Sequence, residues 1–291
     1  MDKLSFEIIS LILDHLPKFK YGFCIAPYAT ISRQWQAVVE SRTFARVCVV
    51  DLDDFKSIFS ASSYRPAALR KLEFEVGLPS DGDTRAHHLQ NQAAALAAIT
   101  LLLDGLAACE SRLHDGCHIC TPSMGPINLR LGYYLEEAED CKVAAADCEK
   151  SAAIKRYLKF QEEEVRALPK NRCVSRFRIR AKAGEAQHPL TSCQLATCFT
   201  GFQVFELQYW DPPVKRSTLR KANRSALADG ITILGQLPHL SKLQIVRVAI
   251  GSHLTTLLRI PAWSMMMRQA ARLTCYAKLS ESWPRMVPSE S

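Results

Sequence analysis

The sequence predicts an α/β protein in two unequal parts: a helical module over residues 1–50, then an irregular solenoid of strands and helices over residues 65–250, with residues 251–291 as a capping segment or tail. Three observations lead there. Aliphatic residues recur at helical spacing from Leu4 to Leu16. A phrase with apolar residues at offsets 0, 3 and 5 returns four times further on. Composition is that of a folded chain: 291 residues, 48% hydrophobic and 23% charged, enough length to bury a real core.

The first helix opens at Leu4-Ser5-Phe6-Glu7. Ser5 is a good N-cap, and Glu7 sits in the positively polarised first turn. Leu4 before the cap and Ile9 at the fourth helical position can form a hydrophobic staple. Ile8, Ile9, Leu11, Ile12, Leu13 and Leu16 cover more than one stripe, so two surfaces of this helix are expected to be buried. Pro17 ends it. Pro27 marks a second helix start, continuing through Ile31-Ser32-Arg33-Gln34-Trp35 toward Val38, Val39 and Phe44.

The recurring phrase reads Leu69-x-x-Leu72-x-Phe74, Val174-x-x-Phe177-x-Ile179, Phe202-x-x-Phe205-x-Leu207 and Leu240-x-x-Leu243-x-Ile245. Each copy alternates apolar and polar at its end, as a half-buried strand does. Asn128–Gly132 reads as a further short strand. Residues 93–106 and 223–234 read as helices closing strand–loop–helix units. Residues 136–164, rich in charge and alanine, read as a solvated helix or insertion, and the repeat fades after residue 250. Spacing of the pattern fits the strand core of a leucine-rich repeat, with insertions.

The N-terminal residues carry a more specific likeness. Leu4-x-x-Glu7-Ile8-x-x-x-Ile12-x-x-x-Leu16, followed by Ile31-Ser32-Arg33-x-Trp35, resembles an F-box, with Ser5 where that family usually has Pro. The later region is similar to the divergent leucine-rich repeats of F-box proteins from filamentous fungi. The resemblance implies a three-helix module docking on the Skp-type adaptor of a cullin-RING ubiquitin ligase through Leu4, Ser5, Ile8, Ile12, Ile31 and Trp35. It implies a substrate-recognition subunit, cytoplasmic or nuclear, that brings a target protein to ubiquitination by proximity and is not itself an enzyme.

Charge is unevenly placed. Residues 170–291 hold 18 Lys/Arg against 6 Asp/Glu, net +12, while residues 1–169 are net −4. The second half therefore suits an acidic partner. Arg176, Arg178 and Arg180 share one strand face, and in repeat register Arg178 and Arg180 lie beside Glu206 and Gln208. These residues are the expected substrate-binding row, reading an acidic or phosphorylated target. A basic nucleic-acid-binding protein using residues 170–291 is the alternative.

Several chemistries have no signature here. Glycines are never spaced two apart, Gly77-x4-Gly82 continues with Asp83, and neither HExxH nor GxSxG occurs, so dinucleotide, phosphate-loop, zincin and serine-hydrolase motifs are missing. No cofactor is expected. His114-x2-Cys117-His118-x-Cys120 is the one run with metal-ligand residue types; His114, Cys117 and Cys120 are suitably spaced, and Cys109 or Cys141 would have to complete a closed tetrahedral site, so no metal is expected. The 11 cysteines read as reduced core thiols of an intracellular chain. Ala93–Leu103, broken by Thr100 and stopped by Asp104, is too short to span a bilayer, so no membrane partner is expected.

Overall fold

A computed structural model of the chain describes residues 4–16, 25–50, 53–56, 64–79, 84–115, 126–135, 157–180, 186–212, 216–249 and 252–260. It is a mixed α/β structure built on a mainly parallel sheet.

The chain begins with helix α1 (Phe6–His15), capped by Ser5, whose Oγ accepts from the Ile8 amide at 3.4 Å. A 3-10 turn (Ala26–Thr30) follows, then helix α2 (Arg33–Thr43). Pro27 was the expected start of the second helix. The observed start is later because the Ser32 hydroxyl accepts the Trp35 amide at 3.4 Å and caps it there. Ile9, Leu13, Trp35, Val38 and Val39 form a small core of their own, with Leu4, Leu16, Ile25 and Tyr28 packed around it. Tyr28 stacks on Trp35 with ring centroids 6.1 Å apart. Arg42 ties the helices together, donating to the Asp14 carboxylate at 2.8 Å and to the Ser10 carbonyl at 2.7 Å.

The remaining elements are β1 (Arg46–Val49), α3 (Tyr64–Ala68), β2 (Lys71–Leu78), α4 (Arg85–Asp115), β3 (Ile127–Leu135), β4 (Tyr157–Leu158), α5 (Glu162–Arg166), β5 (Val174–Ile179), β6 (Ala186–Gln187), α6 (Pro189–Ala196), β7 (Val204–Asp211), α7 (Ser217–Leu234), β8 (Lys242–Ala249) and β9 (Ser252–Ile260). Seven strands make one sheet in the order β1-β2-β3-β5-β7-β8-β9, and β4 pairs with β6 apart from it. Every pair in the large sheet is parallel except β8–β9. Parallel neighbours need a crossover, and α4, α6 and α7 supply three of them.

The repeat phrase predicts the pairing. Leu72, Leu129, Phe177, Phe205 and Leu243 are successive partners across five strands, and Phe74, Leu131, Ile179, Leu207 and Ile245 form the next rung. Both ladders are buried in one core with Ile99, Leu102 and Leu106 of α4 and Leu227, Ile231 and Leu234 of α7. Burying each such side chain stabilises the fold by about 1.5–3 kcal/mol, and a one-residue slip would turn the whole set outward. The ladder narrows to aromatics at its centre, where Phe177 lies 4.8 Å from Phe199 and 5.7 Å from Phe205.

Several expectations need correction. The sheet starts at Arg46, inside the expected 1–50 module, and gains an antiparallel strand, β9, beyond the expected end at residue 250. The segment expected at 128–132 extends to nine residues as β3. Within 136–164, Tyr157, Leu158 and Phe160 are buried, so that part packs where a solvated stretch was expected. Helix α4 runs far beyond 93–106, and its Arg85–Glu110 portion is long and apolar enough to cross a bilayer by length and composition. Its Ala95, Ile99, Leu102 and Leu106 are instead buried against the sheet. Residues 261–291, with Trp263 and the run Met265–Met267, lie outside the described residues.

Candidate functional site

Two surfaces carry the residues singled out by sequence. The first is the outer side of α1. Ile9 and Leu13, four apart, fill the module core. Ile8, Leu11 and Ile12, at i, i+3 and i+4, lie on another stripe and stay 45%, 57% and 37% exposed, with Phe6 50% exposed nearby in sequence. Ile31, just before α2, is 45% exposed. The expected adaptor residues thus divide. Ile8, Ile12 and Ile31 face outward, Ser5 serves as cap, Leu4 leans on the module core, and Trp35 belongs to it. Phe6 and Leu11 were not singled out, although Leu11 stands at helical spacing from Ile8 and could have been.

The second surface is the polar face of the sheet. Alternation along β2 buries Leu72, Phe74 and Val76 and turns Lys71, Glu73 and Glu75 the other way. Register extends that face strand by strand. Glu73, Arg130, Arg178, Glu206 and Gln244 form one row, and Lys71, Asn128, Arg176, Val204 and Lys242 the row beside it. Arg178 donates Nε to Glu206 Oε2 at 2.6 Å and adds an Nη2 contact to the same oxygen. Arg176 Nη2 reaches Glu206 Oε1 at 2.9 Å. The two arginine side chains are each 41% exposed, whereas Glu206 is 5% exposed. Glu206 was expected to lie open to a ligand. It is instead buried beneath two guanidiniums, because isolated buried charge is costly and paired charge is tolerated.

Glu73 repeats the arrangement, held by Lys71 and by Arg130 Nη1 at 3.1 Å. The Lys71 hydrogen bond, with the charge of Arg130 behind it, holds the Glu73 carboxyl below the usual range against the opposing effect of burial. Gly132 lies beside Glu75, whose carboxylate oxygen would sit in ordinary contact, 3.5 Å, from an added Cβ. Arg180, one residue past β5, and Gln208, within β7 opposite Val246, are half-buried. Arg130 and Lys71 were missed as members of this face. Asn128-Leu129-Arg130-Leu131 carries the same alternation, and placing it in repeat register would have found Arg130.

A third group is structural. Asp211, at the end of β7, has a fully buried side chain and accepts from Arg220 Nε at 2.8 Å, with Arg224 at 3.7 Å. Tyr209, in the same strand, is in the core. His188 packs edge-on to Tyr157 at 6.1 Å. Burial, with the Lys159 charge, lowers its pKa to about 4. Cys109, Cys173, Cys193 and Cys198 are buried and Cys48 is exposed. Burial pushes the thiols of Cys173, Cys193 and Cys198 up, away from the reactive thiolate. Among the described residues no three His, Cys, Asp or Glu side chains are placed to hold a metal. Cys117, His118 and Cys120 lie outside those residues.

No family model matches this chain, and no curated protein or solved structure is found similar to it.

Proposed function

We propose that the chain is the substrate-recognition subunit of a Skp-cullin-F-box type ubiquitin ligase, with the N-terminal helices as its F-box and the sheet region as a divergent leucine-rich-repeat receptor. One observation carries this reading: α1 uses one apolar stripe, Ile9 and Leu13, to close a small core and leaves a second, Ile8, Leu11 and Ile12, in water. A helix that keeps such a stripe exposed is built to cover it with a partner. The sheet supports the second half of the reading. Its parallel strands follow one another in chain order, the arrangement a solenoid has, and it offers one polar face for a target. The chain then contributes positioning, and the chemistry belongs to the conjugating enzyme.

The nucleic-acid alternative is weaker. Arg220 and Arg224, two of the cations it would use, are largely buried and paired with the fully buried Asp211.

The test is capture of a purified Skp-type adaptor by the full chain. Ile8→Asp and Ile12→Asp should each abolish capture and leave the melting temperature nearly unchanged, since both side chains are exposed. Capture that survives both substitutions refutes the proposal.

A further inference from the structure

We infer that the polar face of the sheet holds an extended acidic polypeptide segment with carboxylates at alternate positions, laid along β5. This rests on the receptor reading above and names the class of target that reading leaves open.

Charge depth is the first argument. The carboxylate at the centre of the face is the buried member of its ion pairs: Glu206 is 5% exposed beneath Arg176 and Arg178, while Glu73, nearer the sheet edge, lies between the more exposed Lys71 and the less exposed Arg130. Each carboxylate meets two cations, so each group keeps a net positive charge, and the cations of the Glu206 group are the parts that water reaches. What the Glu206 group presents outward is therefore positive, although the face as a whole is mixed and includes Glu73 and Glu75. Glu206 also does preparatory work. It fixes two long, flexible side chains in place, which lowers the ordering cost of binding. A guanidinium has five N–H donors, so Arg178 and Arg176 retain donors beyond those given to Glu206.

Spacing is the second argument. Residues two apart on a strand are about 6.6 Å apart on one face, so Arg176 and Arg178 of β5 are regularly spaced cations, and Arg180 follows one residue past the end of the strand. An extended polypeptide presents its alternate side chains at the same interval. Carboxylates at i, i+2 and i+4 can each meet one arginine, in charge-assisted bonds. A block of adjacent acidic residues sends half of them to the wrong side.

The probe is a twelve-residue peptide of alternating Glu and Thr, compared with one of equal composition whose six Glu are contiguous, and with oligothymidylate of similar charge. Titrated into the full chain at 50 mM salt, the alternating peptide should bind at least tenfold tighter than the block peptide and than the oligonucleotide. Raising salt to 200 mM should weaken it severalfold. Arg178→Gln with Glu206→Gln removes one cation and the buried carboxylate together, so that no buried charge is left alone. Arg180→Gln is a second variant on the same row that leaves the Glu206 group intact. Each should cost about tenfold in peptide binding with the melting temperature held. Equal binding of the two peptides, tighter binding of oligothymidylate, or unchanged binding by both variants overturns the inference. Adaptor capture is measured on the same samples. Its loss with peptide binding intact refutes the receptor reading alone, and the converse refutes this inference alone.

Discussion

Glu206→Ala tests whether the centre of the polar face is built around its buried carboxylate. The substitution leaves Arg176 and Arg178 side by side, without the oxygens that now accept from them at 2.9 and 2.6 Å. A charge pair about 4 Å apart is worth roughly 4 kcal/mol at an effective dielectric of 20. Both guanidiniums are 41% exposed, so water screens much of that, and the cost of burying the carboxylate is recovered when it is removed. The net loss should be about 2–3 kcal/mol. Glu206→Gln keeps the shape and one acceptor oxygen and should lose about 1 kcal/mol. Urea unfolding followed by far-ultraviolet circular dichroism reads both values from the midpoint and slope. Repeating the titration in high salt should narrow the gap between wild type and Glu206→Ala. A Glu206→Ala protein within about 0.5 kcal/mol of wild type, the range of ordinary surface changes, would refute the argument.

Other outcomes follow from single contacts. An added Cβ at Gly230 would lie 2.6 Å from Cys193 Sγ and 2.8 Å from its Cβ. Gly230→Ala should therefore destabilise by about 1 kcal/mol by calorimetry despite the gain in helix propensity; a stabilised variant would mean that α6 and α7 are further apart. His188 takes up its proton near pH 6.5 when unfolded but only near 4 when folded, so the unfolded state binds more protons between those values and stability falls as pH drops through that window. About 2 kcal/mol should be lost, and His188→Phe should flatten the profile in urea titrations at pH 7 and 4.5. Leu13→Ala, at the module core, should cost about 2–5 kcal/mol of module stability and reduce adaptor capture through unfolding, whereas Ile12→Asp, one residue away, should remove capture from a folded chain; circular dichroism separates the two.

The sheet was legible because its signal is repeated. One three-position apolar phrase fixed the faces of β2, β5, β7 and β8, and hydrogen-bonded register aligned the copies rung for rung. Strands β1 and β9 have no copy of the phrase, so their membership of the sheet was hidden. The caps at Ser5 and Ser32 depend on local chemistry; the first was read and the second was obscured by the nearer signal of Pro27. At the polar face, sequence placed Arg178 beside Glu206 but could not give depth. Burial of Glu206 follows from having Arg176 and Arg178 above it, which is a property of three side chains in two strands. Sequence likewise showed that α1 has too many aliphatic residues for one stripe, but only packing separates Ile9 and Leu13 inside from Ile8 and Ile12 outside.

Only Phe44 and Ala45 separate α2 from β1. The Phe44 amide still bonds the Glu40 carbonyl, and Arg65 spans the joint, lying 4.7 Å over the Phe44 ring and 3.4 Å from the Glu40 carboxylate. The helical module therefore joins the first strand through a short link that Arg65 braces from the side. On the receptor reading proposed above, a target on the polar face and an adaptor on α1 would be separated by this one short, braced joint, so shortening or lengthening it would change how the two are presented to each other.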